Sequence, residues 1–276
     1  MNEKIFSLSA YQLFCLLFFY LLSGMMLFCD GAIFAALFAS LFTALLCFVA
    51  DSLSHDRFSS ASLYSGLFRG LGAPMRIFCA FIAFLSLLRA IFAVSAEISA
   101  FYNAENTLVP APFLLFLCIF AVWNGFSRAA RFSELCIFAL ALACLLALFG
   151  GGKGFHLGFA KAELFSAFDV IGAPAVILSA YLRCVTPESG KMSAFAKSSN
   201  FHPSPLAAGV FASISALAVY SFFCFAGQNV LFSLFSWFLF LSRLLLISIG
   251  IADLIAYPEK FKSTVMSYNM GYYNTC

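Results

Sequence analysis

Two arginines stand inside long apolar runs, Arg89 within 76–99 and Arg243 within 230–256. A guanidinium never loses its charge in a protein, and a charge held inside a bilayer costs several kcal/mol, so each must face a polar cavity, a partner or a ligand. Asp169 and Asp253 are the carboxylates on other apolar segments that could meet Arg89, and Asp253 also lies nearly three turns beyond Arg243. On its own segment Arg89 has Ser86 at i−3 and Glu97 two turns further on. An interhelical ion pair and a ligand contact both answer the cost.

Helix breakers recur in the same apolar setting. Ser23-Gly24 follows an apolar stretch in the first segment, and Gly172-Ala173-Pro174 interrupts the sixth. Pro174 removes a backbone donor and Gly172 relaxes the chain, so the pattern predicts helices broken within the membrane. Freed backbone groups and helix ends at such breaks can coordinate a small ligand. Ser23, Gly24, Arg89, Gly172, Ala173 and Pro174 therefore form the candidate ligand-binding set. Glycine and proline are also common in membrane helices without any ligand, which leaves a purely structural role open.

Other chemistry has no matching pattern. The ten cysteines are scattered almost one per apolar segment, without CxxC and without histidine at metal-ligand spacing, as expected of small buried hydrophobes. His55, His156 and His202 fall in three separate loops. The run Gly150-Gly151-Gly152-Lys153-Gly154 lacks the preceding strand and the following Ser or Thr of a phosphate loop, and reads as a flexible loop. HExxH and GxSxG are absent too. Neither enzyme chemistry, a metal nor a cofactor is expected.

The elements that must carry these residues follow from composition. Of 276 residues, 63% are hydrophobic and only 10% charged, too few charges to cover a soluble surface. Strands of a membrane barrel would alternate polar and apolar, whereas these runs are apolar on every side, so helices are predicted. A span needs about 20 residues at about 1.5 Å each to cross about 30 Å of hydrocarbon. The expected fold class is all-α, a polytopic bundle of eight spans at about 8–29, 31–50, 76–99, 109–126, 130–149, 165–185, 204–226 and 230–256. Residues 1–256 would form the transmembrane domain and 257–276 a short cytoplasmic tail. The first segment reads as a span rather than a signal peptide, because its apolar core is long and no small-x-small site follows.

Basic residues set the expected orientation. Lys4, Arg57, Arg69, Arg76, Arg128, Arg131, Arg183, Lys191, Lys197, Lys260 and Lys262 fall on one side, eleven in all, against Lys153 and Lys161 on the other. The positive-inside rule then puts both termini in the cytoplasm. The net charge of +3 is explained by loops facing anionic lipid, and nucleic acid is not an expected partner. Leu63, Leu67 and Leu71, at four-residue intervals beside Arg69, suggest a short helix in the cytoplasmic interface over 60–74, with an ordinary loop as the alternative.

Several stretches resemble one known family. Leu67-Phe68-Arg69-Gly70-Leu71-Gly72 is similar to the Leu-Gly-Lys-x-Leu-Gly entry to helix three of the GerAB-like spore germination family. Ser95-Ala96-Glu97-Ile98-Ser99-Ala100-Phe101-Tyr102 resembles that family's outer end of helix three, and Val109-Pro110-Ala111-Pro112 its entry to helix four. Asn124 to Glu134, containing Arg128, Arg131 and Glu134, resembles its Gly-x-x-x-x-x-Arg-x-x-Glu link. Arg243 followed by Ile247-Ser248-Ile249-Gly250 extends the likeness into helix eight, and adds Ser248 to the candidate set.

These proteins are integral-membrane subunits of spore germinant receptors within the amino acid/polyamine/organocation transporter superfamily. The resemblance implies two inverted five-helix repeats, with spans one and six as corresponding members. It also implies a pocket for a small nutrient such as an amino acid, and other germinant receptor subunits as partners in the spore inner membrane or the cell membrane. The family's ten helices exceed the eight spans counted, so either its last two are missing here or the chain is a truncated product. An amino acid permease-type transporter and a non-binding structural membrane subunit are the alternative expectations.

Overall fold

The computed structural model describes residues 8–29, 32–55, 72–102, 110–124, 126–149, 164–185, 204–226, 236–252 and 254–255. Among them every regular element is helical: α1 (Ala10–Phe28), α2 (Ile33–His55), α3 (Gly72–Phe101), α4 (Pro110–Asn124), α5 (Phe126–Phe149), α6 (Leu164–Ile171), α7 (Pro174–Val185), α8 (Pro205–Ala226) and α9 (Ser236–Ala252). Four of these, α1, α2, α3 and α8, are long and apolar enough to cross a membrane. Residues 60–71 of the interfacial helix expected over 60–74, the 150–154 glycine loop, the 186–203 stretch, the 257–276 tail and Asp253 lie outside the described residues, while 72–74 open α3.

Local chemistry explains where the helices begin. Ser9 caps α1: its hydroxyl accepts from the Gln12 amide at 3.1 Å, and the Gln12 side chain accepts from the Ser9 amide at 3.2 Å. Proline opens α4, α7 and α8, where the first turn needs no amide donor. At α8 the Ser204 hydroxyl also accepts from the Ala207 amide at 3.1 Å.

The helix α1 is the axis of the assembly. Every residue from Cys15 to Met25 is buried, and 67% of the span is shielded, against 33–39% for α2, α3 and α8. A helix apolar all round and covered over most of its length belongs at the centre. Helices α8, α5 and α6 pack against it, and α2 packs against α8, α7 and α6. Small residues permit the closest approach: a Cβ on Gly209 of α8 would lie 2.6 Å from Cys47 Sγ of α2.

Outer faces are apolar. On α2 the exposed side chains Phe34, Leu37, Phe38, Leu41, Leu45 and Phe48 recur at helical spacing, and Phe78, Ile82, Leu85 and Phe92 do so on α3. Contiguous apolar surface of this kind fits a hydrocarbon surround rather than water. Cys15, Cys29, Cys47, Cys118, Cys136 and Cys224 are free and buried among apolar side chains.

Two polar or aromatic clusters tie helix ends together. Phe101 and Tyr102 at the end of α3 meet Trp237 at the start of α9, with ring centroids 4.7 and 6.0 Å away. Aromatic rings of this amphipathic type gather at membrane–water boundaries. Elsewhere, the Tyr181 hydroxyl of α7 donates to Asp51 Oδ1 near the end of α2 at 2.7 Å.

Candidate functional site

The expected break at Gly172-Ala173-Pro174 is present. Helix α6 stops at Ile171, Gly172 adopts a left-handed φ of 62°, and α7 starts at Pro174. Glycine suits the left-handed position because it has no Cβ to meet the backbone, and Pro174 starts the next helix where its missing donor is harmless.

An α-helix leaves its last four carbonyls without intrahelical partners. In α6 all four are met. Phe168 O accepts from the Gly172 amide at 2.7 Å. Asp169 O and Val170 O accept from Arg243 Nη2 at 2.7 and 2.9 Å. Ile171 O accepts from the Tyr20 hydroxyl at 2.7 Å, and that hydroxyl in turn accepts from the Ala173 amide at 3.2 Å.

Arg243 is fully buried, and it joins three helices. From α9 it reaches the end of α6, and its Nη1 donates to Tyr20 O of α1 at 2.8 Å. Its Cζ stands 4.4 Å from the Tyr20 ring centroid and 5.5 Å from that of Phe28. The negative end of the α6 dipole and two aromatic faces thus replace the water this charge gave up. Its Nε makes no hydrogen bond among the described residues.

Glycines make room for the guanidinium. A Cβ at Gly24 would lie 2.5 Å from Arg243 Nη1 and 2.8 Å from Val170 O. One at Gly172 would lie 2.7 Å from both Arg243 Nη2 and Ser86 Oγ, and 2.9 Å from the Tyr20 hydroxyl. The expectation of a break at Ser23-Gly24 is corrected: α1 runs unbroken from Ala10 to Phe28. A lone glycine keeps its amide donor and can stay helical, and the Ser23 hydroxyl donates back to Tyr20 O at 2.9 Å. Gly24 therefore serves close packing, not helix termination.

Arg89 has found one of its expected partners. Its Nη2 lies 2.6 Å from Asp169 Oδ2, with the arginine side chain 61% exposed and the aspartate 15%. Arg89 Cζ also stands 5.9 Å from the Phe28 ring centroid, so that ring borders both guanidinium groups. Asp169 thereby carries Arg89 on its carboxylate and Arg243 on its carbonyl.

The structure thus gathers Ser23, Gly24, Arg89, Gly172 and Ala173 around one point, with Pro174 beginning the helix that leaves it. Ser248 stands apart. It is buried on α9 five residues beyond Arg243, with its hydroxyl turned to Leu244 O, while Gly250 packs against Val176 of α7. Tyr20 was absent from the expected set; in an apolar segment a tyrosine differs from phenylalanine only by a hydroxyl that needs a partner. Replacing Tyr20 by phenylalanine is expected to cost about 0.5–1.5 kcal/mol, the net worth of a hydrogen bond, because the Ala173 amide and the Ile171 carbonyl keep their own 2.7 Å bond to each other. Reversible unfolding in mixed micelles measures this, and Phe19→Leu, beside it in α1, controls for packing.

No family model, curated protein or solved structure matches the chain.

Proposed function

We propose that the chain is an integral-membrane subunit that binds a small nutrient, such as an amino acid, beside the α6–α7 break and signals the binding to partner subunits. The carrying observation is that break, with Arg89, Asp169 and Arg243 assembled on it. The resemblance to spore germinant receptor subunits supplies the biological setting, spore germination, and the reading is non-enzymatic. We infer eight membrane crossings, with α6 and α7 together as the sixth and both termini cytoplasmic. The pairing of α2 and α7 ends through Asp51 and Tyr181 supports this, since an even spacing of crossings brings those two ends to one side.

Receptor function is favoured over a permease by one feature. The freed backbone groups of the break are already met by Arg243 and Tyr20, so passage through this point would require a buried charge to leave its acceptors. Binding beside a pinned joint makes no such demand, and a ligand that prefers one arrangement of it can bias an attached subunit.

Purified protein in lipid nanodiscs, titrated with amino acids and other small nutrients, tests the reading through the thermal midpoint. At a ligand concentration of about 100 Kd the stabilisation is expected to reach about 2.7 kcal/mol, and Arg89→Gln is expected to abolish it. A response that survives this substitution moves the site elsewhere, and a panel without any response sets the receptor reading aside. Uptake by proteoliposomes lacking partner subunits would support a permease instead.

A further inference from the structure

Among the described residues, charge at the α6–α7 break does not balance. Two permanently charged guanidinium groups, Arg89 and Arg243, stand around one carboxylate, Asp169. Among the other described acidic residues, Glu97 is two turns from Arg89, about 12 Å along α3. The three side chains therefore sum to one net positive charge within an apolar surround.

We propose that the ligand taken here is a small carboxylate of net charge −1, held by Arg89 beside Gly172. This rests on the binding reading above and names the charge class of its ligand. A monoanion cancels the excess charge, whereas a zwitterion or a neutral amide leaves it in place.

Geometry agrees with the charge count. Arg89 is 61% exposed even while paired with Asp169, so its planar fork has donors that face away from that carboxylate. Ser86 stands on the same face of α3, one turn below, and its Oγ lies at the Cα side of Gly172. Arg243 contributes long-range charge from a buried position, with its Nε still lacking a hydrogen-bond partner among the described residues. A lipid headgroup is the other source of such an anion. Tyr102, in the aromatic cluster with Trp237, is about 20 Å along the helix from Arg89, which leaves a headgroup phosphate far from reach.

The experiment uses the full chain in nanodiscs of neutral phosphatidylcholine, which removes anionic headgroups. Thermal unfolding is followed while propionate replaces chloride at constant ionic strength, with propionamide and propylammonium as isosteric controls. Propionate alone is expected to raise the midpoint. Arg89→Gln is expected to weaken its apparent affinity by about tenfold or more, and Asp169→Asn, which adds a further net positive charge, to strengthen it. The opposed directions separate ligand binding from general loss of fold, since a misfolded variant cannot bind more tightly.

Equal stabilisation by propionamide or propylammonium overturns the proposal, as does weaker binding in a folded Asp169→Asn variant. Silence toward carboxylates with a retained response to neutral or zwitterionic nutrients overturns the charge class and leaves the receptor reading standing. Silence toward every small molecule overturns both, and would assign the excess charge to an acidic group on a partner helix. A response that appears only when phosphatidylglycerol is added would assign it to lipid.

Discussion

Replacing Arg243 with methionine is expected to destabilise the protein by about 3–5 kcal/mol, the largest effect of any single side chain at the break. Methionine is comparable in length and leaves the apolar packing of α9 largely filled, so the loss isolates the guanidinium. Tyr20 O, Asp169 O and Val170 O would each lose a donor in a place where water cannot readily replace it. Lysine at this position keeps the charge but not the planar fork, and is expected to recover only part of the loss. Urea or SDS titration of wild type and both variants in the same micelles checks the order. A methionine variant within about 1 kcal/mol of wild type would mean that the joint is held by packing alone.

Gly172→Ala is expected to cost about 2–4 kcal/mol, from two separate sources. One is the left-handed φ of 62°, which any side chain makes unfavourable. The other is space, since the new methyl would press on Arg243, Ser86 and the Tyr20 hydroxyl at once. Gly24→Ala separates the two: it sits in a regular helix, so its cost is steric only. If Arg243 is the main obstacle there, combining Gly24→Ala with Arg243→Met should cost clearly less than the sum of the single changes. Additive costs would instead point to Val170 O as the obstacle.

Much of the helical layout could be read from the chain because apolar runs of span length have few other solutions in a membrane. Expected segments 8–29, 109–126 and 204–226 meet α1, α4 and α8 within a few residues at each end. The α6–α7 break was legible from Gly172-Ala173-Pro174, since proline acts through covalent structure that no neighbour can override. Pairing of Arg89 with Asp169 was legible as one of two choices, because carboxylates are scarce in apolar segments. Ser23-Gly24 misled, for glycine permits a bend without forcing one.

Arg243 marks the limit of such reading. Its charge was visible, but its partners are main-chain carbonyls, which every residue carries and no sequence pattern singles out. The central place of α1 was hidden for a related reason. That helix is less hydropathic than α2 or α3, and only packing with helices distant in sequence decides that it is the most shielded of the three.

Arg243 also bears on how the chain is made. Under the proposed eight crossings the helices enter the membrane in the order they leave the ribosome, α1 and α6 well before α9. Tyr20 O, Asp169 O and Val170 O are thus already at depth when the guanidinium arrives. The costliest group in the fold is synthesised late, into acceptors laid down ahead of it, so the order of synthesis itself lowers the barrier to burying that charge.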